Sequence, residues 1–260
     1  MRISAYFVSD LHLGEPEDQR TQLFLKFLKG LRGQSNCTHL FMLGDIFDLW
    51  IAHHFYFIYK FAVILEQLQR LLEEGVVIHY FEGNHDLYLK KYWQDELKIC
   101  VHEGPVHIEL DDLILRLEHG DEINPNDKGY IFLRWWLRTP LMKWVAHHLP
   151  ENLLVQLGKL ASQGSRQYTS EIKTQSQAMA KMMMLDHAHR VFSSQYFDLL
   201  IAGHLHVHED RQVSEEGTNF RIINLGSWLE QPQVLRLAQL EEPKGDKKLW
   251  RTTWLSPDSF

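Results

Sequence analysis

The stretch "VVIHYFEGNHD" (76–86) is an apolar run that ends abruptly in the polar cluster Gly83, Asn84, His85 and Asp86. A short apolar run of this kind predicts a buried β-strand, and the polar cluster marks its carboxyl end. Four other runs have the same design: "AYFVSDLHLG" (5–14), "THLFMLGDIFDLW" (38–50), "LILRLEHGD" (113–121) and "FDLLIAGHLH" (197–206). The sequence therefore predicts a set of strands whose tips carry Asp, Asn or His.

Helical patterns occupy the gaps between the first strands. The stretches "TQLFLKFLKGL" (21–31) and "YFIYKFAVILEQLQRLLEEG" (56–75) have apolar residues at i, i+3, i+4 and i+7, and Gly75 is a typical residue to end the second helix. Strands that alternate with helices predict βαβ units, an α/β fold and a buried sheet with helices outside. Ligands of such sheets bind beyond the carboxyl ends of the strands.

Composition limits the class of protein. The 260 residues, of which 45% are hydrophobic and 23% charged, predict a single globular domain over residues 1–260 with an insertion. A formal net charge of −7 argues against nucleic acid as a partner, since phosphate contacts require cations. The two cysteines form no close pair and no apolar run is long enough to span a membrane, so we expect a cytoplasmic protein.

The strand tips supply the ligand types of a two-metal site. The candidates are Asp10, His12, Asp45, Asn84, His119, His204 and His206. Imidazole together with carboxylate suits Mn²⁺, Fe²⁺, Co²⁺ or Zn²⁺, and we expect two divalent ions, preferably Mn²⁺. Only a carboxylate readily bridges two cations, and Asp45 on the middle tip is the best bridge. The predicted chemistry is hydrolysis of a phosphoester or pyrophosphate.

Each motif alone has an ordinary structural explanation, because Gly-Asp and Gly-Asn are common turn dipeptides. The order of all five motifs is specific. It resembles the calcineurin-like metallophosphoesterases, whose D-x-H, G-D, G-N-H-D, H and G-H-x-H motifs match "DLH", "GD", "GNHD", "HGD" and "GHLH" between residues 10 and 206.

The resemblance implies a four-layer αββα sandwich and a division of the ligands. One metal would lie on Asp10, His12, Asp45 and His206, and the second on Asp45, Asn84, His119 and His204. It also implies that His85 acts on the phosphate as general acid or electrostatic stabiliser and that Asp86 orients His85.

A narrower resemblance concerns the substrate. The segments "GDIFDLWI" (44–51) and "HGDEINPNDKGYIFLR" (119–134), with a helical insertion after His119, are similar to UDP-2,3-diacylglucosamine diphosphatases of lipid A biosynthesis. This implies cleavage of a nucleotide-linked glycolipid to UMP and 2,3-diacylglucosamine 1-phosphate. It also implies a lid at 127–185 that caps the acyl chains, with substrate contacts from Asp127 and Tyr130. The polar segment "SQGSRQYTSEIKTQSQAM" (162–179) adds Arg166 and Lys173 as candidate contacts for phosphate or uridine. The best-known branch of these enzymes has arginine at the position of His85.

The insertion has a composition that suits a lipid. Trp135, Trp136 and Trp144 stand beside Arg134, Arg138 and Lys143, a mixture of apolar and cationic residues that fits acyl chains and anionic headgroups. We therefore expect peripheral contact with the inner membrane. The alternative is an ordinary helical hairpin that packs its own aromatic residues against each other.

Two other functions compete with the glycolipid hydrolase. A DNA repair nuclease of the same superfamily shares "SDLHLG", "GDIFD" and acidic residues after G-H-x-H, as in "GHLHVHED" (203–210), but the acidic charge and the lack of a basic stripe oppose it. A catalytically inactive scaffold with the same fold would have lost metal ligands. All seven candidates are present here.

Overall fold

The computed structural model describes residues 2–32, 37–153, 156, 177–215, 217–240 and 249–260. In these ranges the strands are β1 (Ser4–Val8), β2 (His39–Met42), β3 (Trp50–Ile51), β4 (Val77–Phe81), β5 (Asp86–Leu87), β6 (Cys100–His102), β7 (Val106–Leu110), β8 (Leu113–Glu118), β9 (Leu199–Ala202), β10 (His208–Glu215), β11 (Thr218–Leu225), β12 (Val234–Gln239) and β13 (Trp250–Leu255). The helices are α1 (Gln19–Arg32), α2 (Phe55–Lys60), α3 (Ala62–Glu73), α4 (Lys128–Leu137), α5 (Pro140–His148) and α6 (Gln177–Phe192), with a π-helical turn at Lys90–Gln94 and a 3₁₀ turn at Pro257–Ser259.

Two sheets contain most of the strands. The first has the order β13-β12-β1-β2-β4-β6, and β1, β2, β4 and β6 run parallel. The second has the order β10-β11-β9-β8-β7, and β11, β9 and β8 run parallel. The short strands β3 and β5 pair separately, beside the polar tips of the first sheet. The helical connections β1-α1-β2 and β2-α2-α3-β4 are the predicted βαβ units.

Three apolar cores stack the elements into four layers. Phe7, Phe41, Leu117, Ile201 and Ile223 belong to the core between the two sheets. A second core joins the outer face of the first sheet to α1 and α3, and a third joins the outer face of the second sheet to α6. The predicted αββα sandwich is confirmed.

The helix predicted over residues 56–75 is interrupted at Phe61. This residue has φ −108° and ψ 22°, so α2 ends before it and α3 begins after it. Its ring packs 4.5 Å from that of Phe47 in the buried aromatic cluster. Gly75 ends α3 as predicted, with φ 86° and hydrogen bonds from Gly75 N to Leu72 O and Val76 N to Leu71 O that form a Schellman motif.

The predicted lid at 127–185 contains α4, α5 and the start of α6. The last of these helices continues beyond the predicted boundary to Phe192, and its Met184 and Ala188 are buried against the second sheet. The sheet thus holds the end of the insertion. Arg166 and Lys173 lie outside the described residues. Over the described part of the chain, the helices are too short or too polar to cross a bilayer.

Candidate metal centre

All seven predicted ligands lie just beyond the carboxyl ends of parallel strands. They are Asp10 and His12 after β1, Asp45 after β2, Asn84 after β4, His119 after β8, and His204 and His206 after β9. Because the two sheets face each other, these tips meet at one end of the sandwich. The structure thus brings together residues separated by almost 200 positions, as shown by the 3.1 Å contact between Asp10 Oδ1 and His206 Nε2.

The backbone at most of these positions has a left-handed conformation. The residues concerned are Asp10 (φ 53°), His12 (φ 48°), Asp45 (φ 52°), His204 (φ 65°) and His206 (φ 54°). Such values are uncommon outside glycine and persist only where surrounding contacts enforce them. Hydrogen bonds between the tips do so here, from Asp10 N to Gly44 O (3.1 Å) and from His12 N to Asp45 O (3.0 Å). This strain points the side chains into a common site.

Two glycines allow the tips to approach closely. A Cβ on Gly83 would collide with the Asp45 carboxylate and would lie 2.6 Å from the Asp45 nitrogen. A Cβ on Gly203 would collide with the side chains of Ser9 and Asp10. Glycine is therefore required in the "GN" and "GH" motifs because a side chain at either position would not fit.

The first cluster consists of Asp10, His12 and His206, with a ligand atom of each within 4.8 Å of the others. Asp45 adjoins it, with its Oδ2 4.0 Å from His12 Nε2. Both ring nitrogens of His12 and Nδ1 of His206 are buried without a hydrogen-bond partner among the described residues. Buried polar atoms without partners are costly, and a cation bound by one nitrogen of each ring would remove part of that cost.

The second cluster consists of Asp45, His119 and His204, again with ligand atoms within 4.8 Å. The Nε2 atom of His119 lies 3.7 Å from Asp45 Oδ2 and 3.3 Å from Asn84 Oδ1. Its Nδ1 donates to Leu43 O at 2.8 Å, which fixes the tautomer and turns Nε2 towards the site.

Asp45 is held so that one oxygen serves both clusters. Its Oδ1 accepts hydrogen bonds from Asn84 N (2.9 Å) and His85 N (3.0 Å). The other oxygen, Oδ2, lies between His12 and His119. This is the arrangement that a bridging carboxylate requires.

At most positions the pKa values of the site residues favour the deprotonated form that binds a metal. Burial opposes ionisation of Asp10 and Asp45, yet the surrounding histidines hold the pKa of both carboxyl groups below the usual range. Burial lowers the pKa of His12 and of His204 to about 4, so both rings are neutral and can donate a lone pair. Against burial, the Asp45 and Asp10 carboxylates raise the pKa of His119 to about 9. A cation at the second cluster must therefore displace a proton.

The residues expected to act on the phosphate have different partners from those predicted. Among the described residues, His85 Nδ1 contacts Asp48 O at 2.9 Å and not the Asp86 carboxylate. The oxygens of Asp86 accept from Asp45 N (3.1 Å), Ile46 N (2.9 Å), Gly83 N (2.7 Å) and the Tyr80 hydroxyl (2.6 Å). The predicted role of Asp86 in orienting His85 stays a prediction, since the two side chains make no direct contact among the described residues. Asp86 instead joins the loops that follow β2 and β4. Each of its oxygens already accepts two hydrogen bonds, so neither is left for the His85 ring.

Of the predicted lid contacts, Tyr130 reaches the centre. Its ring lies 5.9 Å from that of His204, and its hydroxyl donates to Asp121 Oδ2 at 3.0 Å. Asp127 instead caps α4 by accepting from Tyr130 N at 2.9 Å. Sequence reasoning missed Asp121, which also accepts from Arg134 Nε at 2.6 Å. The available clue was the spacing of Tyr130 and Arg134, which are neighbours on one helix face.

Comparisons with known proteins found a matching family, curated relatives and similar solved structures. The family model described as calcineurin-like phosphoesterase matches residues 3–208. The chain is 30% identical over 242 residues to the UDP-2,3-diacylglucosamine hydrolase of Pseudomonas aeruginosa PAO1, covering 90% of this chain and 95% of that protein. Its identity to the Porphyromonas gingivalis hydrolase of the same name is 28% over 256 residues, with 88% and 92% covered. A solved archaeal phosphodiesterase matches at TM-score 0.45 and 16% identity, covering 97% of this chain and 99% of that one.

Proposed function

Because this chain belongs to the calcineurin-like phosphoesterase family and is a metal-dependent hydrolase, we propose that it cleaves the pyrophosphate of UDP-2,3-diacylglucosamine. The products are UMP and 2,3-diacylglucosamine 1-phosphate, as in lipid A biosynthesis. The observation that carries the proposal is the 30% identity to a hydrolase of this name over 90% of the chain. A match of that extent reaches well beyond the metal motifs.

The two clusters would hold two divalent ions, with Mn²⁺ as the expected metal. Asp10, His12 and His206 serve one ion, Asn84, His119 and His204 serve the other, and Asp45 is shared. Bound cations neutralise charge on the phosphoryl oxygens and acidify the attacking water. The mixed imidazole and carboxylate donors suit Mn²⁺, Fe²⁺, Co²⁺ or Zn²⁺.

His85 is the residue that would act on the leaving group. A carbonyl oxygen only accepts, so the contact with Asp48 O places the proton on Nδ1 and leaves Nε2 to hold or donate a second proton. The ring lies 4.9 Å from that of His12, at the edge of the first cluster. The arginine of the best-known branch stabilises charge but does not transfer a proton, so this chain combines the two roles in one imidazole.

The insertion supplies an apolar surface for the acyl chains. Helix α4 buries none of its residues, and α5 buries only Ala146. Phe132, Trp135 and Trp144 are 64%, 63% and 58% exposed. Phe132 and Trp135 contact each other with ring centroids 5.8 Å apart, yet both stay more than half exposed, which supports a ligand-binding surface over the self-packed hairpin. Apolar side chains left in water at this density are typical of a surface that binds an apolar ligand.

The same helices would bring the enzyme to the cytoplasmic face of the inner membrane. Residues 128–150 contain Lys128, Arg134, Arg138 and Lys143 and no Asp or Glu, although the whole chain has a net charge of −7. Arg134 and Arg138 form ion pairs with buried carboxylates of the protein, so the exposed Lys128 and Lys143 are the cations that, beside exposed aromatic side chains, suit anionic lipid headgroups. Contact with the membrane would present the metal centre to a substrate whose acyl chains lie in the bilayer.

The test is Mn²⁺-dependent UMP release from UDP-2,3-diacylglucosamine, with a chromogenic phosphodiester and linear DNA assayed in parallel. We expect a kcat/KM in the range of roughly 10⁴ to 10⁸ M⁻¹s⁻¹ that natural substrates show. Hydrolysis of the small diester without UMP release would reject the glycolipid and keep the two-metal hydrolase. Efficient DNA cleavage would support the nuclease.

A further inference from the structure

The elbow between α4 and α5 is attached to the loop that carries Asn84 and His85. Apolar packing here is limited to one small cluster, in which Ala146 packs with Ala52, Leu87 and Tyr88, and Leu137 lies against them. Polar contacts add to this packing: α4 contacts Asp121 through Tyr130 and Arg134, and the elbow contacts the Asn84–His85 loop through Leu137 and Arg138.

Glu82 is the residue beside the Asn84–His85 loop that contacts the elbow. It directly follows β4, two residues before Asn84, and is 5% exposed. Its Oε1 accepts from Leu89 N at 2.8 Å, and its Oε2 accepts from Arg138 Nη1 at 3.2 Å. The carboxylate thus spans the Asn84–His85 loop on its own chain and reaches the elbow with its second oxygen. A buried carboxylate needs such partners, and Arg138 is the cationic one.

Arg138 extends the contact to a neighbouring strand. Its Nη1 also donates to Glu103 O at 2.8 Å, just after β6. Glu82 N donates to His102 O at 2.9 Å, so the ends of β4 and β6 and the elbow share one network. Tyr88 adds a second point of attachment, because its hydroxyl donates to Leu137 O.

We propose that Arg138 is a positioning residue, which through Glu82 sets the placement of α4 and α5 relative to the metal-binding loop. A substrate that contacts both the metals and the insertion depends on that placement, whereas a small diester contacts the metals alone. Arg138 thereby determines specificity for long substrates. The identity of the long substrate rests on the proposed function, while the mechanical coupling does not.

The test compares Arg138→Met and Arg138→Lys with Arg32→Met. Arg32 forms a 2.9 Å ion pair with Glu74 between α1 and the end of α3 and is similarly part-exposed, which makes it a matched control remote from the site. For Arg138→Met we expect KM for UDP-2,3-diacylglucosamine to rise roughly tenfold, because the variant loses a charged hydrogen bond. Its kcat/KM for the chromogenic diester and its Mn²⁺ content should each change less than about twofold. Arg138→Lys should recover part of the loss, since one ammonium reaches Glu82 or Glu103 O but lacks the planar fork.

Hydrogen exchange supplies a readout that is independent of the substrate. Arg138→Met should speed exchange in both 83–89 and 128–148, while Arg32→Met leaves both segments unchanged. If wild-type protein releases no UMP, the proposed function fails, and exchange alone then decides the coupling. Unchanged exchange in 83–89, or equal losses on the long and short substrates, would overturn the positioning role.

Discussion

The metal centre and the α4–α5 pair lie side by side but are stabilised in opposite ways. In the centre, Asp10 and Asp45 are at most 2% exposed, and hydrogen bonds from several loops hold them. In α4 every residue is at least partly exposed, and three of the most exposed side chains of the pair are aromatic. The centre is complete within the chain apart from its cations. The helix pair presents apolar surface that the described residues of the chain leave uncovered.

The largest expected effect is that of Asp45→Ala. Both clusters lose their shared ligand, so the variant should lose both ions and at least about 10³-fold in kcat. Metal analysis after gel filtration, with Asp95→Asn as an exposed acidic control, measures this. A full metal complement in Asp45→Ala would refute the bridging role.

His85→Ala should affect chemistry without affecting metal content. Removal of a positioned proton donor lowers kcat by about 10² to 10⁴-fold. Retention of both ions would distinguish a proton donor from a metal ligand. The distinction matters because His85 has a nitrogen within 4.8 Å of ligand atoms of His12 and Asp45. Loss of an ion from His85→Ala would reassign His85 to the metal shell.

Metal binding should depend on pH through His119. Its pKa is raised to about 9 in the metal-free site, so affinity at the second cluster should increase about tenfold per pH unit from pH 7 up to pH 9. His12 and His204, with pKa values of about 4, stay neutral over this range and add no slope. Calorimetry at pH 7 in buffers of different ionisation enthalpy should detect release of about one proton. Binding without proton release would contradict the charge state assigned to His119.

The same group should also influence stability of the metal-free protein. The folded pKa of His119 lies above its unfolded value of about 6.5, so its stabilising contribution is complete below that pH and is lost as pH rises to about 9. The Tm of metal-free protein should therefore fall between pH 7 and 9 relative to His119→Gln. Parallel curves for the two proteins would argue against the shift.

The smallest effects are expected for substitutions of the exposed aromatic residues of α4 and α5. Replacing Trp135 and Trp144 by serine should weaken binding to anionic vesicles about tenfold and change the free energy of unfolding by less than about 0.5 kcal/mol per site. Tyr196→Ser is the control, since this 45% exposed aromatic precedes β9 at the opposite end of the sheet. By comparison, Trp93→Ala in the core should cost about 3 to 5 kcal/mol. A large loss of stability in the double variant would return these residues to a structural role.

The sequence was informative where local chemistry determines structure. Strand tips ending in Asp, Asn or His were recognisable because a buried strand is apolar along its length and the site is polar at its end. The edge strand β10 was missed because its residues, HEDRQVSE, are mostly polar and exposed, so they lack a periodic apolar pattern. The break at Phe61 was missed because packing against distant Phe47, and no local breaker, interrupts the helix.

Partners of the site residues could be predicted less well than the residues themselves. The motif order identified the candidates, but it did not reveal that Asp86 bonds backbone amides while Asp48 O contacts His85. Such contacts depend on how two loops meet in space, and the residues adjacent in sequence do not determine how the loops meet. The same holds for Glu82 and Arg138, which are 56 positions apart.

The proposed function requires a dinuclear site bridged by Asp45. Electron paramagnetic resonance of the protein during titration with Mn²⁺ tests it most directly. We expect two ions per chain with a spin-coupled spectrum, since one carboxylate oxygen faces both clusters. Saturation at one ion per chain, or two ions with uncoupled signals, would contradict it.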